Sequence, residues 1–375
     1  MTKTIQFKLK PTKEQEALLD RTLNLYINAV NSTLSDFLDA GHVLNYTSKD
    51  VQCSLPSALK NQCVKDAKVL LKKYKKRLYE VALWNNKHTL KETKVAKVPI
   101  AKRPNAIWNN QNFTVLSDGI SIPMWTHKSQ RIIIKALMTD DIKKSLEGTL
   151  GALRITKKSG KYIAQVSVEI DKPGAVTGQV MGVDIGIKVP AVCATESGKI
   201  RFFGKGRKNK YIRRQFKSKR HKLGKAKKLD AIRKLNNKEE RVMRDIDHKI
   251  SRQIINYALK NKVSLIRLEE LAGIRNTTRT SRKNNHSLHN WSFYRLIGFI
   301  TYKAALVGIR VELVNPAYTS QECPDCRKRN HTKGRSYKCS CGFKSHRDVV
   351  GAINITMAKV KTLKVSRVDG NSLSA

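Results

Sequence analysis

Val180-Met181-Gly182-Val183-Asp184-Ile185-Gly186 is a short apolar run interrupted by one carboxylate and closed by glycine. The run reads as a buried strand. An isolated ionised carboxylate in apolar surroundings costs several kcal/mol, so an aspartate there calls for a cation to balance it, and Asp184 is a metal-ligand candidate. Residues 189–194, the turn Glu196-Ser197-Gly198-Lys199 and residues 200–203 supply a hairpin partner. A second strand ending in acid is Val263-Ser264-Leu265-Ile266-Arg267-Leu268-Glu269-Glu270-Leu271. Its pleat puts Leu265, Arg267 and Glu269 on one face and Ser264, Ile266, Leu268 and Glu270 on the other, which leaves open which glutamate points inward. A third carboxylate, Asp348, opens a helix in His346-Arg347-Asp348-Val349-Val350-Gly351-Ala352-Ile353-Asn354-Ile355, where the Gly351-Ala352 pair permits close approach to a sheet. Singly, each acid could be a strand-end or N-cap residue. Together, acids from two strands and one helix can converge on two divalent cations about 4 Å apart, the arrangement that activates water against a phosphodiester.

The surroundings of these acids are cationic. Lys205, Arg207, Lys208, Lys210, Arg213, Arg214, Lys217, Lys219, Arg220, Lys222, Lys225, Lys227 and Lys228 fall in a stretch, residues 197–229, without Asp or Glu. Such a block stays disordered or binds a polyanion. Ala231, Leu235, Val242, Ile246, Ile250, Ile254, Ile255, Ala258 and Leu259 continue it as a long amphipathic helix beside the sheet. The acid-free stretch 274–290 reads as a mobile loop over the site. The whole chain, 375 residues with 75 Lys+Arg against 29 Asp+Glu, carries a net charge of +46. That excess points to nucleic acid and away from an ordinary metabolic enzyme, while 40% hydrophobic residues exclude a disordered polycation.

Toward the amino terminus the chain alternates two patterns. Ile5, Phe7 and Leu9 alternate with Gln6, Lys8 and Lys10 as a strand over residues 4–10, ended by Pro11. Thr12 and Gln15 form a capping box before a helix carrying Leu19, Leu23, Tyr26, Ile27, Val30, Leu34 and Phe37. A second helix, residues 60–84, presents Lys65, Lys68, Lys72, Lys73, Lys75, Lys76 and Arg77. So few acids are interleaved that intrahelical ion pairs cannot account for this charge, which favours phosphate contact by Lys72, Lys73, Lys76 and Arg77. From residue 96 the period changes to antiparallel strands at 113–116, 120–122, 131–137, 151–156 and 162–170, a small β-barrel or sheet into which the helices are inserted. Asp171-Lys172-Pro173-Gly174 makes a linker.

Of seven cysteines, Cys53, Cys63 and Cys193 are scattered and read as small buried hydrophobes. The other four form Cys323-x2-Cys326-x12-Cys339-x-Cys341, flanked by Pro324, Gly334 and Gly342, a zinc knuckle or ribbon in which His331 or His346 could replace a thiol of the tight second pair. An odd cysteine count, no apolar run long enough to span a bilayer and an opening too polar for a signal peptide give the expectation of a cytoplasmic, nucleoid-associated protein with no membrane partner.

These residues carry a family resemblance. Val183-Asp184-Ile185-Gly186, Leu268-Glu269-Glu270-Leu271, Pro316-Ala317-Tyr318-Thr319-Ser320-Gln321-Glu322-Cys323-Pro324-Asp325-Cys326 and Arg347-Asp348 before Ala352-Ile353-Asn354-Ile355 resemble TnpB, the transposon-associated RNA-guided nucleases related to type V CRISPR effectors. The resemblance implies a multidomain α+β chain. It implies a wedge β-barrel (1–11 and 96–173), an inserted helical recognition lobe (12–95), an RNase H-like RuvC nuclease domain (178–318 and 346–362), a zinc-binding insertion (319–345) and a disordered tail (363–375). It makes Asp184, Glu269 and Asp348 the catalytic Mg2+ ligands, choosing Glu269 over Glu270, and Cys323, Cys326, Cys339 and Cys341 the structural Zn2+ ligands. It implies a guide RNA from the transposon end, double-stranded target DNA beside a short adjacent motif, and a monomeric ribonucleoprotein. Two departures stand out: His346-Arg347-Asp348-Val349-Val350-Gly351-Ala352 replaces Asp-Arg-Asp-x-Asn-Ala-Ala, and Arg327 replaces the glycine after the second cysteine. The competing readings are a nuclease-inactive RNA-guided repressor, a DDE-type transposase and a basic RNA chaperone. The three acids weigh against the first and last, and the zinc cluster between the second and third acids against the transposase.

Overall fold

The computed structural model describes residues 1–88, 92–125, 131–171, 173–235, 237–271, 288–289, 291–332 and 334–358. The chain divides into two units, Met1–Asp171 and Lys172–Ala375. In the first, period-two alternation makes β1 (Thr2–Lys10), with Ile5, Phe7 and Leu9 buried. Thr12 then caps α1 (Lys13–Asp39): its Oγ1 accepts from the Gln15 N–H at 3.3 Å while Gln15 Oε1 accepts from the Thr12 N–H at 3.2 Å. There follow α2 (Ser57–Lys87), β2 (Asn105–Trp108), β3 (Thr114–Val115), β4 (Gly119–Pro123), β5 (Arg131–Leu137), α3 (Asp140–Ser145), β6 (Leu150–Lys158) and β7 (Lys161–Glu169). All seven strands join one antiparallel sheet in the order β2-β6-β7-β1-β5-β4-β3. Although β1 comes first in the chain, it lies between β7 and β5. The sheet curls enough for Trp108 Nε1 on β2 to donate to the Pro123 carbonyl on β4 at 2.9 Å. One core joins its inner face to α1 and the first half of α2. Beyond Leu71 only Val81 of α2 is buried, so Lys72, Lys73, Lys76 and Arg77 are all exposed.

The second unit contains β8 (Gln179–Asp184), β9 (Ala191–Thr195), β10 (Ile200–Phe203), α4 (Gly206–Lys225), α5 (Leu229–Leu235), α6 (Lys238–Lys260), β11 (Val263–Glu269), α7 (Phe293–Ala305), β12 (Arg310–Val314), β13 (Ser336–Lys338), β14 (Lys344–His346) and α8 (Arg347–Met357). Five strands form a sheet ordered β10-β9-β8-β11-β12, antiparallel through β10, β9 and β8, and parallel through β8, β11 and β12. Its faces are covered differently. Met181, Val183, Ile266 and Leu268 bury against Ile250, Ile254 and Ile255 of α6 and Leu296, Ile300 and Ala304 of α7. Val192 and Ala194 pack on Val349 and Ala352 of α8.

The long helix expected through residue 259 is instead three. Lys227 adopts φ +52° and ends α4, and α6 starts afresh at Lys238. β12 and α7 lie where the sequence reading proposed no element. The expected loop at 274–290 falls, apart from residues 288 and 289, outside the described residues, as does the tail at 363–375. Among the described residues no helix is long and apolar enough to cross a membrane.

Candidate active site and metal centre

β8 and β11 run parallel with Val183 beside Leu268, so Asp184 and Glu269 end neighbouring strands at the same edge. The carboxyl ends of parallel strands are where open α/β sheets bind ligands. The pleat then fixes the face. Met181 and Val183 enter the core under α6, so Gly182 and Asp184 point toward α8. Contact there is close: a β-carbon on Gly182 would come 2.3 Å from the Ala352 carbonyl oxygen and 2.5 Å from the Thr356 nitrogen. Thr356 Oγ1 accepts from the Gly182 N–H at 2.9 Å and donates to the Ala194 carbonyl at 3.0 Å, pinning α8 across β8 and β9. Gly351 faces Asp184 directly, since its missing β-carbon would stand 3.0 Å from Oδ2.

On β11, Arg267 and Glu269 share the α8 side: Arg267 Nη1 donates to the Thr356 carbonyl at 2.7 Å. Glu269 is half-buried and accepts a hydrogen bond from Thr319 Oγ1, whereas Glu270 is exposed. Asn354 on α8 holds the loop carrying Thr319, donating through Nδ2 to the Thr319 and Glu322 carbonyls at 2.7 Å each. Asp348 sits in the first turn of α8, where the helix dipole favours an anion, and its N–H donates to Nδ1 of the N-cap His346 at 3.2 Å. Its Oδ1 pairs with Arg335, beside β13, and its Oδ2 is buried without a hydrogen-bond partner.

Electrostatics links the three acids. Burial first, then the charges of Glu269 and Asp348, push the Asp184 carboxyl well above the usual carboxylate range, against the pull of Arg335 and Arg347. Burial also raises Glu269, opposed by the Thr319 hydrogen bond. Electrostatically coupled, partly desolvated carboxylates, one of them with an oxygen that lacks a hydrogen bond, have the donor chemistry that divalent cations take, and such a cation would replace the compensation that Arg335 supplies. Among the described residues only the cysteine cluster gathers three or more acid, His or Cys ligand atoms within 4.8 Å of one another.

That cluster is Cys323, Cys326, Cys339 and Cys341. The sulfurs of Cys323 and Cys341 are 3.7 Å apart and those of Cys326 and Cys339 3.4 Å. A tetrahedron of thiolates about 2.3 Å from zinc has edges of about 3.8 Å, so the set fits that ion. The thiols share their protons unequally: Cys339 is drawn down to about 6, chiefly by the Cys341 backbone N–H, while Cys341, despite the Phe343 backbone N–H, is pushed up to about 12 by hydrogen bonds with the other three. Neither histidine is needed: His346 is the N-cap of α8, and all four thiols converge despite the tight second pair. Tyr337 is buried beneath them and donates to the Gln321 carbonyl at 2.9 Å. Arg327 stands at φ +61°, a left-handed position that suits glycine and explains why this knuckle is expected to carry one.

The basic candidates divide. Lys205, Arg207, Lys208, Arg214 and Lys217 are exposed on or beside α4. Arg213 and Arg220 instead turn inward to Glu239 of α6, at 3.5 and 2.7 Å. Arg335, Thr319 and Asn354 were not singled out by sequence reasoning. Thr319 and Asn354 lay in stretches quoted for their resemblance, but nothing marked Arg335 thirteen residues before Asp348.

Residues 164–275 match a family described as "Probable transposase" and residues 293–355 a "Cas12f1-like, TNB domain". The CRISPR-associated endodeoxyribonuclease Cas12f1 of Sulfoacidibacillus thermotolerans is 27% identical over 223 residues, 54% of this chain and 51% of that protein. A TnpB-like protein of Methanocaldococcus jannaschii is 38% identical over 157 residues, 40% of this chain and 56% of that one. The chain thus spans about half the length of these two relatives. Cas12f1 in a cryo-EM complex with sgRNA and target DNA shares the fold, with a TM-score of 0.57, 16% identity, and coverage of 96% of this chain and 99% of that one. The family matches and the curated relatives make the chain a relative of the type V effectors. Within that class the chain belongs to the TnpB family.

Proposed function

We propose that this protein is a transposon-encoded RNA-guided endonuclease that takes its guide from the transposon end and cuts double-stranded DNA beside a short adjacent motif. The observation that carries the reading is the electrostatic coupling of Asp184 to Glu269 and Asp348 across β8, β11 and α8, with Asp348 Oδ2 buried and lacking a hydrogen bond. On this reading residues 1–11 and 96–173 are the wedge domain, 12–95 the recognition lobe, 178–318 and 346–362 the RuvC domain and 319–345 the zinc insertion.

Two Mg2+ ions, when bound, would supply a water nucleophile and stabilise the leaving oxygen. The chain's own residues prepare that site. Asp184 and Asp348 offer carboxylate oxygens from a strand and a helix, and Gly351 leaves space beside the Asp184 carboxylate. Thr319, tied to Asn354, fixes the rotamer of Glu269. The four cysteines hold Zn2+, which steadies the hairpin carrying Arg335 next to α8. Guide pairing selects the target, while Lys72, Lys73, Lys76, Arg77, Lys205, Arg207, Lys208, Arg214 and Lys217 meet backbone phosphate. The active form is a monomeric ribonucleoprotein.

Co-expression with the flanking RNA, sequencing of what copurifies, and cleavage of a target library in Mg2+ or EDTA tests this, with Asp184→Ala as control. Discrete bound RNA and metal-dependent cutting lost in the control are expected. Absence of a discrete RNA would sink the guided reading, and retention of target DNA without cutting would favour the repressor. Loss of cutting with Glu270→Gln but not Glu269→Gln would reverse the choice of glutamate.

A further inference from the structure

The basic helix α4 sorts its side chains onto two faces. Asn209, Ile212, Arg213, Phe216, Arg220 and Leu223 recur at steps of three and four residues and are half-buried, while the outward face is cationic and carries no acid. Toward its carboxyl end α4, α5 and the start of α6 border an open groove of about 510 Å³, lined by half-buried and exposed side chains. Phe216, Leu223 and Leu235 give it an apolar lining, and Lys219, Lys222 and Lys238 surround that lining with ammonium groups. Gln215 and Ser218 add a neutral amide and a hydroxyl. Lining of this kind suits a ligand with a flat apolar body, hydrogen-bonding edges and a nearby anion.

We infer that this cleft holds one unpaired nucleotide of a bound RNA, its base against Phe216 and its flanking phosphates at Lys219, Lys222 and Lys238. One further feature favours a nucleic-acid strand over an acidic peptide, and two more suit a polyanionic strand of either kind. Phe216 offers a ring face for stacking, which a carboxylate side chain does not use. Lys210, Arg214 and Lys217 on the outward side of α4 step about 6 and about 4.5 Å along the axis and lead a phosphate backbone to the cleft. The stretch 197–229 has no acid to repel it. Location favours RNA over the strand to be cut. α4 rests on α6, which covers the sheet face opposite α8, whereas Asp184, Glu269 and Asp348 gather on the α8 side. A strand in the cleft is held away from the chemistry. That the RNA is the guide rests on the function proposed above; that the cleft takes a nucleotide does not.

The test uses the full chain and a fluorescent oligouridylate of about 10 nucleotides, read by anisotropy at fixed salt. Phe216→Leu keeps an apolar side chain but removes the ring, and weakens binding about tenfold. Lys222→Glu weakens binding more than Lys144→Glu, which makes the same charge change on exposed α3 in the other unit. Oligomers carrying 4-thiouridine cross-link to the peptides containing Phe216 or Leu235. Unchanged binding by Phe216→Leu, equal effects of the two lysine reversals, or cross-links confined to other peptides overturn the inference. So does polyglutamate competing as well as the RNA, or an oligothymidylate of equal length binding more tightly. Cross-links at Phe216 in a protein that cuts no guided target leave the cleft standing and the proposed function fallen; guided cutting with binding indifferent to Phe216 does the reverse.

Discussion

Lys303 shows at a single residue what a desolvated charge costs. It is 4% exposed on α7, donates to the His248 carbonyl and to Ser251 Oγ at 2.7 Å each, and is pushed from 10.5 down to about 8 by burial first and then by Arg252. A lysine depressed in the folded state binds fewer protons there than in the unfolded chain between about pH 8 and pH 10.5, so stability rises with pH across that window. The penalty present below it is about 3 kcal/mol. Lys303→Met should therefore match or exceed the natural protein's stability at neutral pH, with the natural protein gaining on it toward about pH 10. Urea unfolding at both pH values measures this, and a constant difference would refute it. Arg335 supplies a second residue-scale expectation. Its guanidinium stands where a metal would compensate Asp348, so Arg335→Gln should lower stability in EDTA by about 1–2 kcal/mol, discounted for the exposed arginine end. The same change should enlarge the melting-temperature increase produced by Mn2+, because no side chain need be displaced. A smaller Mn2+ response than in the natural protein contradicts this.

Between elements, the decisive contact is α8 on β8, and Gly182 reports on it. A methyl there meets two backbone atoms at 2.3 and 2.5 Å, neither of which can turn aside as a side chain would. Gly182→Ala should cost about 3 kcal/mol or more and break the Thr356 bonds. Gly298→Ala makes the informative contrast: nothing lies within 4 Å of its added carbon, so it should stabilise α7 by about 0.5–1 kcal/mol. Thermal unfolding of the two variants should shift in opposite directions. Gly182 also marks the limit of what the chain reveals before it folds. Asp184 was conspicuous because a charge interrupts an apolar run, and the first helix was announced by its capping box. The pleat of β11 could not choose between Glu269 and Glu270, because that choice depends on which face α8 covers. α7 went unread although Phe293, Leu296, Ile300 and Ala304 keep helical spacing, and β12 is a short edge strand whose exposed Leu313 and charged Glu312 blur alternation. Arg335 and Thr319 come from irregular segments, whose side-chain directions follow no period and are set by Asn354 and the cysteine cluster.

For the whole molecule, the question is how much of the +46 charge meets phosphate. Under the proposed function, a guide–target duplex of about 20 base pairs would bring about 40 backbone phosphates before any folded part of the guide is counted, a number of the same size as the excess. The cations are not equivalent, however. Arg213 and Arg220 are committed to Glu239, while Lys72, Lys73 and Lys76 stand exposed and Arg77 pairs with Glu80, itself exposed, at 3.4 Å. Each phosphate contact contributes about 0.7–0.9 to the slope of log affinity against log salt. Changing Lys72, Lys73, Lys76 and Arg77 together to Gln should flatten that slope by about 3 for the copurifying RNA or its DNA target, with little effect on unfolding. Changing Arg213 and Arg220 to Gln should do the opposite, leaving the slope nearly unaltered and lowering stability, because Glu239 loses both partners. Salt titrations of binding alongside melting curves separate the two sets. If the inward pair sets the salt slope and the α2 cluster does not, α4 must leave Glu239 when nucleic acid binds, and its division into a structural and a binding face is wrong.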